Sequence, residues 1–218
     1  MQAGLRSVNI WRVGRLALAV FAAHCAVAAL SRADDLVHVE EDWELVVGEP
    51  DGNSAGPQVA CTMSPWEDIN NTYFTFEVNH QSVPYWAPGG LTIHQWNGES
   101  LTQSMNRQDR SIMQTQDETV TWTQVLDVHN GMLTFQVKNG ASGTWGSFGY
   151  SNHFKVQSWW GPDNLNSYSP NVSVSRSGVA YASNRVKSLK LLRVRGTLDN
   201  GATATDNTVR VVYEFTPQ

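Results

Sequence analysis

In the stretch Val37 to Val47, VHVEEDWELVV, every second residue from His38 to Glu44 is ionisable: His38, Glu40, Asp42 and Glu44. Alternate residues of an extended strand lie roughly 7 Å apart on one face, so Glu40, Asp42 and Glu44 stack as three carboxylates. Glycoside hydrolysis uses two carboxyl groups, about 5 to 5.5 Å apart for retention or about 6.5 to 9.5 Å for inversion, with one held protonated by its surroundings. The spacing permits that chemistry. The opposite face, Val37, Val39, Glu41, Trp43 and Leu45, is apolar except at Glu41. An unpaired carboxylate turned toward a core costs on the order of several kcal/mol, so a bulge or a strand start is expected near Glu41. Charged side chains also guard exposed edge strands against pairing with other chains. The pattern therefore favours a solvated, charged N-terminal edge, with catalysis and cation binding as alternatives.

The order E-x-D-x-E resembles the active strand of β-sandwich glucanases. That resemblance implies Glu40 as nucleophile, Glu44 as acid/base and Asp42 between them. In those enzymes the motif lies deep in the chain, whereas here it begins close to the N-terminus.

Tryptophans are the second chemical resource. Trp43, Trp66, Trp86, Trp96, Trp122, Trp145, Trp159 and Trp160 all follow residue 33, and most must be core because a buried indole brings so much apolar area. Trp159 and Trp160 are adjacent, and neighbours on a strand point to opposite faces, so one is exposed or the strand ends there. An exposed indole stacks on the C–H face of a pyranose, with nearby amides and acids bonding the hydroxyls. VQSWWGPDNLNSY supplies Gln157, Asp163, Asn164, Asn166 and Tyr168. The loops VPYWAPGG (Tyr85, Trp86) and GTWGSFGY (Trp145, Phe148, Tyr150) are similar. The candidate glycan-binding set is Trp159, Trp160, Gln157, Asn164, Tyr168 and Trp145, and the partner a polysaccharide or cell-surface glycan.

His38, His80, His94, His129 and His153 are scattered without HExxH or comparable spacing, so no transition-metal site and no cofactor is expected. Asp199-Asn200-Gly201 with Asp206, and Asp163 with Asn164, are oxygen-rich loops compatible with Ca²⁺ but lacking EF-hand spacing, and polar turns explain them. There is no Cys-His signature or P-loop. Asn70 and Asn171 head glycosylation sequons.

These residues need a scaffold, and the N-terminus suggests where it is delivered. Arg6, Arg12 and Arg15 precede the apolar run LALAVFAAHCAVAAL, and Ser31-Arg32-Ala33 has small-x-small form, so residues 1–33 read as a signal peptide. The run is short for a membrane span, which takes about 20 residues, so the mature chain is expected without a transmembrane anchor. The expected destination is export: secreted, periplasmic or cell surface. The leader takes four of the 15 basic residues and no acid, leaving 11 against 20, a net charge of −9 that excludes a phosphate-tracking surface and hence nucleic acid. Cys61 then stands alone and alternates with Val59 and Met63, as a buried small hydrophobe does. Residues 34–218 suit one domain with an ample core.

Strand signals run through that domain. YFTFEV, MLTFQVK and VRVVYEF alternate, the last placing Val209, Val211, Tyr213 and Phe215 on a buried face. Leu91 to Trp96, Val120 to Val128, Phe154 to Trp159, Val172 to Ser175 and Leu189 to Leu198 are further strands. Asp51-Gly52, Asn97-Gly98, Asn130-Gly131, Asn139-Gly140 and Asn200-Gly201 read as turns. Gly98 to Thr119 lacks alternation and reads as a long polar loop. The stretches GMLTFQVKNGASGTWGSFGY and YSPNVSVSRSGVAYASNRVKSL resemble exported all-β proteins of planctomycete-type bacteria, which implies export and a β-fold and no particular activity. The expected fold is an all-β, single-domain β-sandwich, jelly-roll or concanavalin/lectin-like.

Overall fold

Alternating sequence becomes sheet where its apolar face finds a second layer, and here two antiparallel sheets cover each other. The computed structural model describes residues 34–48, 57–80, 89–106, 113, 117–150 and 153–216. The expected leader, Asp51-Gly52 and the Tyr85-Trp86 loop lie outside the described residues. The strands are β1 (Leu36–Val47), β2 (Gln58–Met63), β3 (Thr72–Val78), β4 (Leu91–Asn97), β5 (Ser100–Asn106), β6 (Thr119–His129) and β7 (Met132–Ser142). After them come β8 (Gly146–Phe148), β9 (Lys155–Ser158), a short helix α1 (Pro170–Arg176), β10 (Gly178–Tyr181), β11 (Val186–Leu198), β12 (Thr203–Asp206) and β13 (Arg210–Glu214).

The larger sheet runs β12-β11-β1-β6-β7-β8, with β13 also on β11 and β9 also on β7. The smaller runs β10-β2-β3-β4-β5. The molecule is an all-β sandwich. Its interior is aromatic: Trp43 and Trp122, cross-strand partners on β1 and β6, stack at 6.3 Å, and Phe76 of the smaller sheet meets Trp122 edge-on at 5.6 Å. Phe74 of the smaller sheet lies parallel to Phe135 of the larger, ring centres 5.0 Å apart. Cys61 is fully buried, as its alternation predicts.

Several sequence expectations change. Ser100 to Asn106 is strand rather than loop: Asn97-Gly98 turns the chain so that Ser100 pairs with Asn97, and backbone pairing with β4 holds a mostly polar segment in which Met105 packs on the core and Leu101 stays exposed. Val172 to Ser175 is helix rather than strand. Pro170 at its first turn presets the helical φ, fully buried Ser173 and half-buried Val174 give it an inner face, and its C-terminal end serves β2. There Ser177 Oγ accepts from Thr62 N and the Arg176 carbonyl accepts from Thr62 Oγ1, at 2.8 and 2.9 Å. The strand β13 has no buried face of the expected kind: Val209, Val211 and Phe215 are exposed, while Val212 and Tyr213 pack on the core.

Candidate functional site

The acidic ladder is not on an edge. β1 lies between β11 and β6, and its pairing with β6 is continuous from His38 opposite Asp127 to Val46 opposite Thr119. Of the three irregularities in its pairing with β11, the one nearest Glu41 falls between Asp42 and Trp43, where Leu192 is the extra residue. Cross-strand cations answer the ladder. Arg195, opposite Glu40, is ion-paired with it, and Arg193, opposite Asp42, reaches its Oδ2 at 2.6 Å. Thr123 Oγ1 donates to Asp42 Oδ1 at 2.8 Å, and Lys190 stands opposite Glu44. His38 bridges Asp127 (3.0 Å) and Glu40 (3.2 Å) through its two ring nitrogens. Its pKa is raised, chiefly by the bond to Asp127. Burial alone pushes Glu40 up, but the His38 hydrogen bond and the Arg195 charge together hold it below the usual range. Glu40 is therefore an ionised, ion-paired carboxylate, not a proton donor near neutral pH.

Glu41 points inward without breaking the strand. It is fully buried, but not unpaired: Tyr168 donates its hydroxyl to Oε1 at 2.6 Å and Trp43 its indole N–H to Oε2 at 3.0 Å. Burial outweighs these donors and raises the carboxyl to about 7. A bulge or strand start is expected near Glu41; a bulge does fall next to it, on β11, but Glu41 still faces the core because the core supplies two donors.

The aromatic candidates separate. β9 ends at Ser158, and Trp159 and Trp160 in the following bend are 73% and 67% exposed. Ser158 Oγ accepts both from the Trp160 backbone N–H and from Gln95 Nε2 of the smaller sheet, each at 3.1 Å. A Cβ on Gly161 would stand 2.5 Å from Leu133 Cβ, so the bend is pressed onto β7. Gln157 is exposed on β9 beside the pair. Trp145, 6% exposed, is a core residue and offers no stacking face. Tyr168 turns its hydroxyl to Glu41, and Asn164 accepts from the Asn166 N–H at 3.1 Å within its own turn. Tyr150 is exposed and stacked on His153, just past β8, whose pairing with β7 lies toward the opposite end of that strand from the Ser158 end of β9.

Asp206, a Ca²⁺ candidate, is engaged by Arg210 at 2.5 Å, which lowers its pKa to about 2, while Asn200 accepts from Ala202 N at 2.7 Å. A different group gathers on the outer face of the smaller sheet. Glu77 on β3, His94 on β4 and His80 just past β3 bring one ligand atom each within 4.8 Å of the others. Among the described residues this is the one such group of three or more histidine, cysteine or acidic side chains. Glu77 Oε2 is hydrogen-bonded to His80 Nδ1 and accepts from Gln58 Nε2 at 3.3 Å, and Glu77 Oε1 lies 3.6 Å from His94 Nε2. Burial lowers the His94 pKa, which keeps its ring neutral. Burial pushes Glu77 up, but His80 and His94 outweigh it and hold the carboxyl ionised.

Sequence spacing missed this group because Glu77 and His94 come from different strands. The signal lay in the register: Phe76 opposite Ile93 sets Glu77 diagonal to His94 on one face. The chain matches no known family model and no curated protein.

Proposed function

We propose that the protein is an exported, non-catalytic glycan-binding module whose binding surface is the Trp159-Trp160 bend with Gln157 beside it. The observation that carries this reading is that both adjacent indoles are largely exposed on a bend anchored to both sheets. Large apolar side chains in water represent burial free energy not yet realised, about 25 cal/mol per Å². Sugar rings offer flat C–H faces to cover them, and an anchored platform loses little entropy on binding. The basic leader-like N-terminus and the resemblance to exported all-β proteins of planctomycete-type bacteria support export. A structural, envelope-packing role is the second reading, favoured by exposed Tyr181, Val209, Val211 and Phe215.

On a glycan array the protein is expected to retain at least one polysaccharide, and Trp159→Ala and Trp160→Ala each to weaken retention at least about tenfold. Both variants should unfold within about 0.5 kcal/mol of the parent, because surface indoles carry little of the core. Retention of no glycan sinks the binding reading and leaves the envelope role.

A further inference from the structure

We propose that Glu77, His80 and His94 form a binding site for one divalent transition-metal ion of the zinc class, with two imidazole nitrogens and one carboxylate as ligands. The inference is independent of the glycan reading, since it concerns the outer face of the other sheet.

Three observations carry it. The ligand set is the kind that zinc and neighbouring first-row ions take, and it leaves a coordination position open; Ca²⁺ and Mg²⁺ prefer all-oxygen sets. The side chains are already gathered, with their ligand atoms within 4.8 Å of one another. Around one tetrahedral ion with bonds of about 2.0–2.1 Å such atoms stand about 3.3 Å apart, so small side-chain rotations close the set. The third observation is His94 itself: it is 7% exposed, and neither of its ring nitrogens has a hydrogen-bond partner among the described residues. Buried polar atoms are rarely left so, and an ion bound at Nε2, the nitrogen that faces Glu77, would satisfy one of the two.

The surroundings hold the ligands in place. Asn79, with a left-handed φ of 61°, turns the chain between Glu77 and His80. Its buried amide is fixed at both ends, donating to the Pro57 carbonyl and accepting from Met113 N, each at 3.0 Å. The His80 N–H donates to the Gly90 carbonyl at 2.9 Å, closing the loop between β3 and β4. Gln58 orients the Glu77 carboxylate as an outer partner would, and the Trp96 ring lies 5.9 Å from His94.

The test uses the full, untagged chain, stripped with a chelator and titrated with Zn²⁺ alone in competition with a chromophoric chelator. One ion per chain is expected, with Kd below about 1 μM. His80→Asn and Glu77→Gln should each weaken binding at least about 100-fold, while His38→Asn and Trp160→Ala leave it unchanged. His94→Gln is the sharpest variant but alters a buried position, so His80→Asn, at a more open ligand, guards against mistaking misfolding for lost binding. Co²⁺ in place of Zn²⁺ should give the visible absorption of a four-coordinate nitrogen and oxygen site, absent in the same variants. Binding weaker than about 1 μM, or affinity that His80→Asn and Glu77→Gln leave intact, overturns the proposal. Glycan retention by Trp160→Ala protein is a separate measurement, so either reading can fail alone.

Discussion

At the scale of single residues, environment and not residue type decides what each acid does. Glu40 and Glu41 are neighbours, yet one is held ionised by Arg195 and His38 on the outer face and the other is held toward its neutral form by the core. Glu41 therefore makes stability depend on pH. Its folded pKa of about 7 exceeds the ordinary glutamate value, so between about pH 4.5 and 7 the folded state binds more protons than the unfolded. Stability then falls as pH rises through that window, by about 1.4 kcal/mol per pH unit where the difference is complete and about 3 kcal/mol in all. Urea denaturation at pH 5 and pH 8 should show this fall in the parent. In Glu41→Gln, whose amide oxygen still accepts from Trp43 and whose amide N–H can donate to the Tyr168 hydroxyl oxygen, the fall should shrink by about that amount. An equal fall in both proteins would mean that Glu41 is not the group responsible.

At the scale of elements, the sequence pattern was legible where one strand face is apolar and misleading where conformation is set by a neighbour. Alternation located β3, β4, β6 and β7, and Asn130-Gly131, both at positive φ, makes the expected hairpin between β6 and β7. Asn139-Gly140 carries the same dipeptide but lies inside β7. There Thr121 pairs with Ala141 and Thr123 with Lys138, so Asn139 and Gly140 together oppose Trp122 as a bulge. Dipeptide chemistry reports that left-handed backbone is allowed; strand pairing decides whether it becomes a turn or a bulge. The candidate sites divide likewise. Adjacency allowed one exposed indole or a strand end, and β9 ends at Ser158 so that both are exposed, but Glu77 and His94 become neighbours only through strand register. The bulge yields a direct prediction. A Cβ at Gly140 would fall 2.1 Å from the Phe148 ring, which packs among Phe76 and Phe154. Gly140→Ala should cost about 1–3 kcal/mol by overpacking. Gly131→Ala, with left-handed φ but nothing within 4 Å, should cost about 1 kcal/mol. Chemical denaturation with an unchanged m-value checks both, and a Gly140→Ala cost well below about 1 kcal/mol would mean that the Phe148 ring moves aside without loss.

At the scale of the whole molecule, the two sheets are separate backbone ladders, so beyond side-chain bonds such as that from Gln95 to Ser158 what joins them is packing across the interior. Phe74 and Phe135 report on that junction because they sit on opposite sheets, nearly parallel, with ring centres 5.0 Å apart. Both are fully buried, and replacement of either by leucine keeps most of the volume while removing the ring-on-ring contact. If the sheets dock through this pair, Phe74→Leu and Phe135→Leu should be non-additive. The double-mutant coupling should be about 0.5–1.5 kcal/mol, the range of aromatic pairs beyond their buried area. The part of the tryptophan emission that shifts on exposure of buried indoles such as Trp43 and Trp122 reports the interior, and far-UV circular dichroism reports the strands. Because one compact unit spans Asp35–Gln218, both probes should follow the same transition in all four proteins and return the same coupling. Additive losses would place the docking energy elsewhere in the aromatic core. Transitions that separate by probe would mean that one sheet persists after the other has opened.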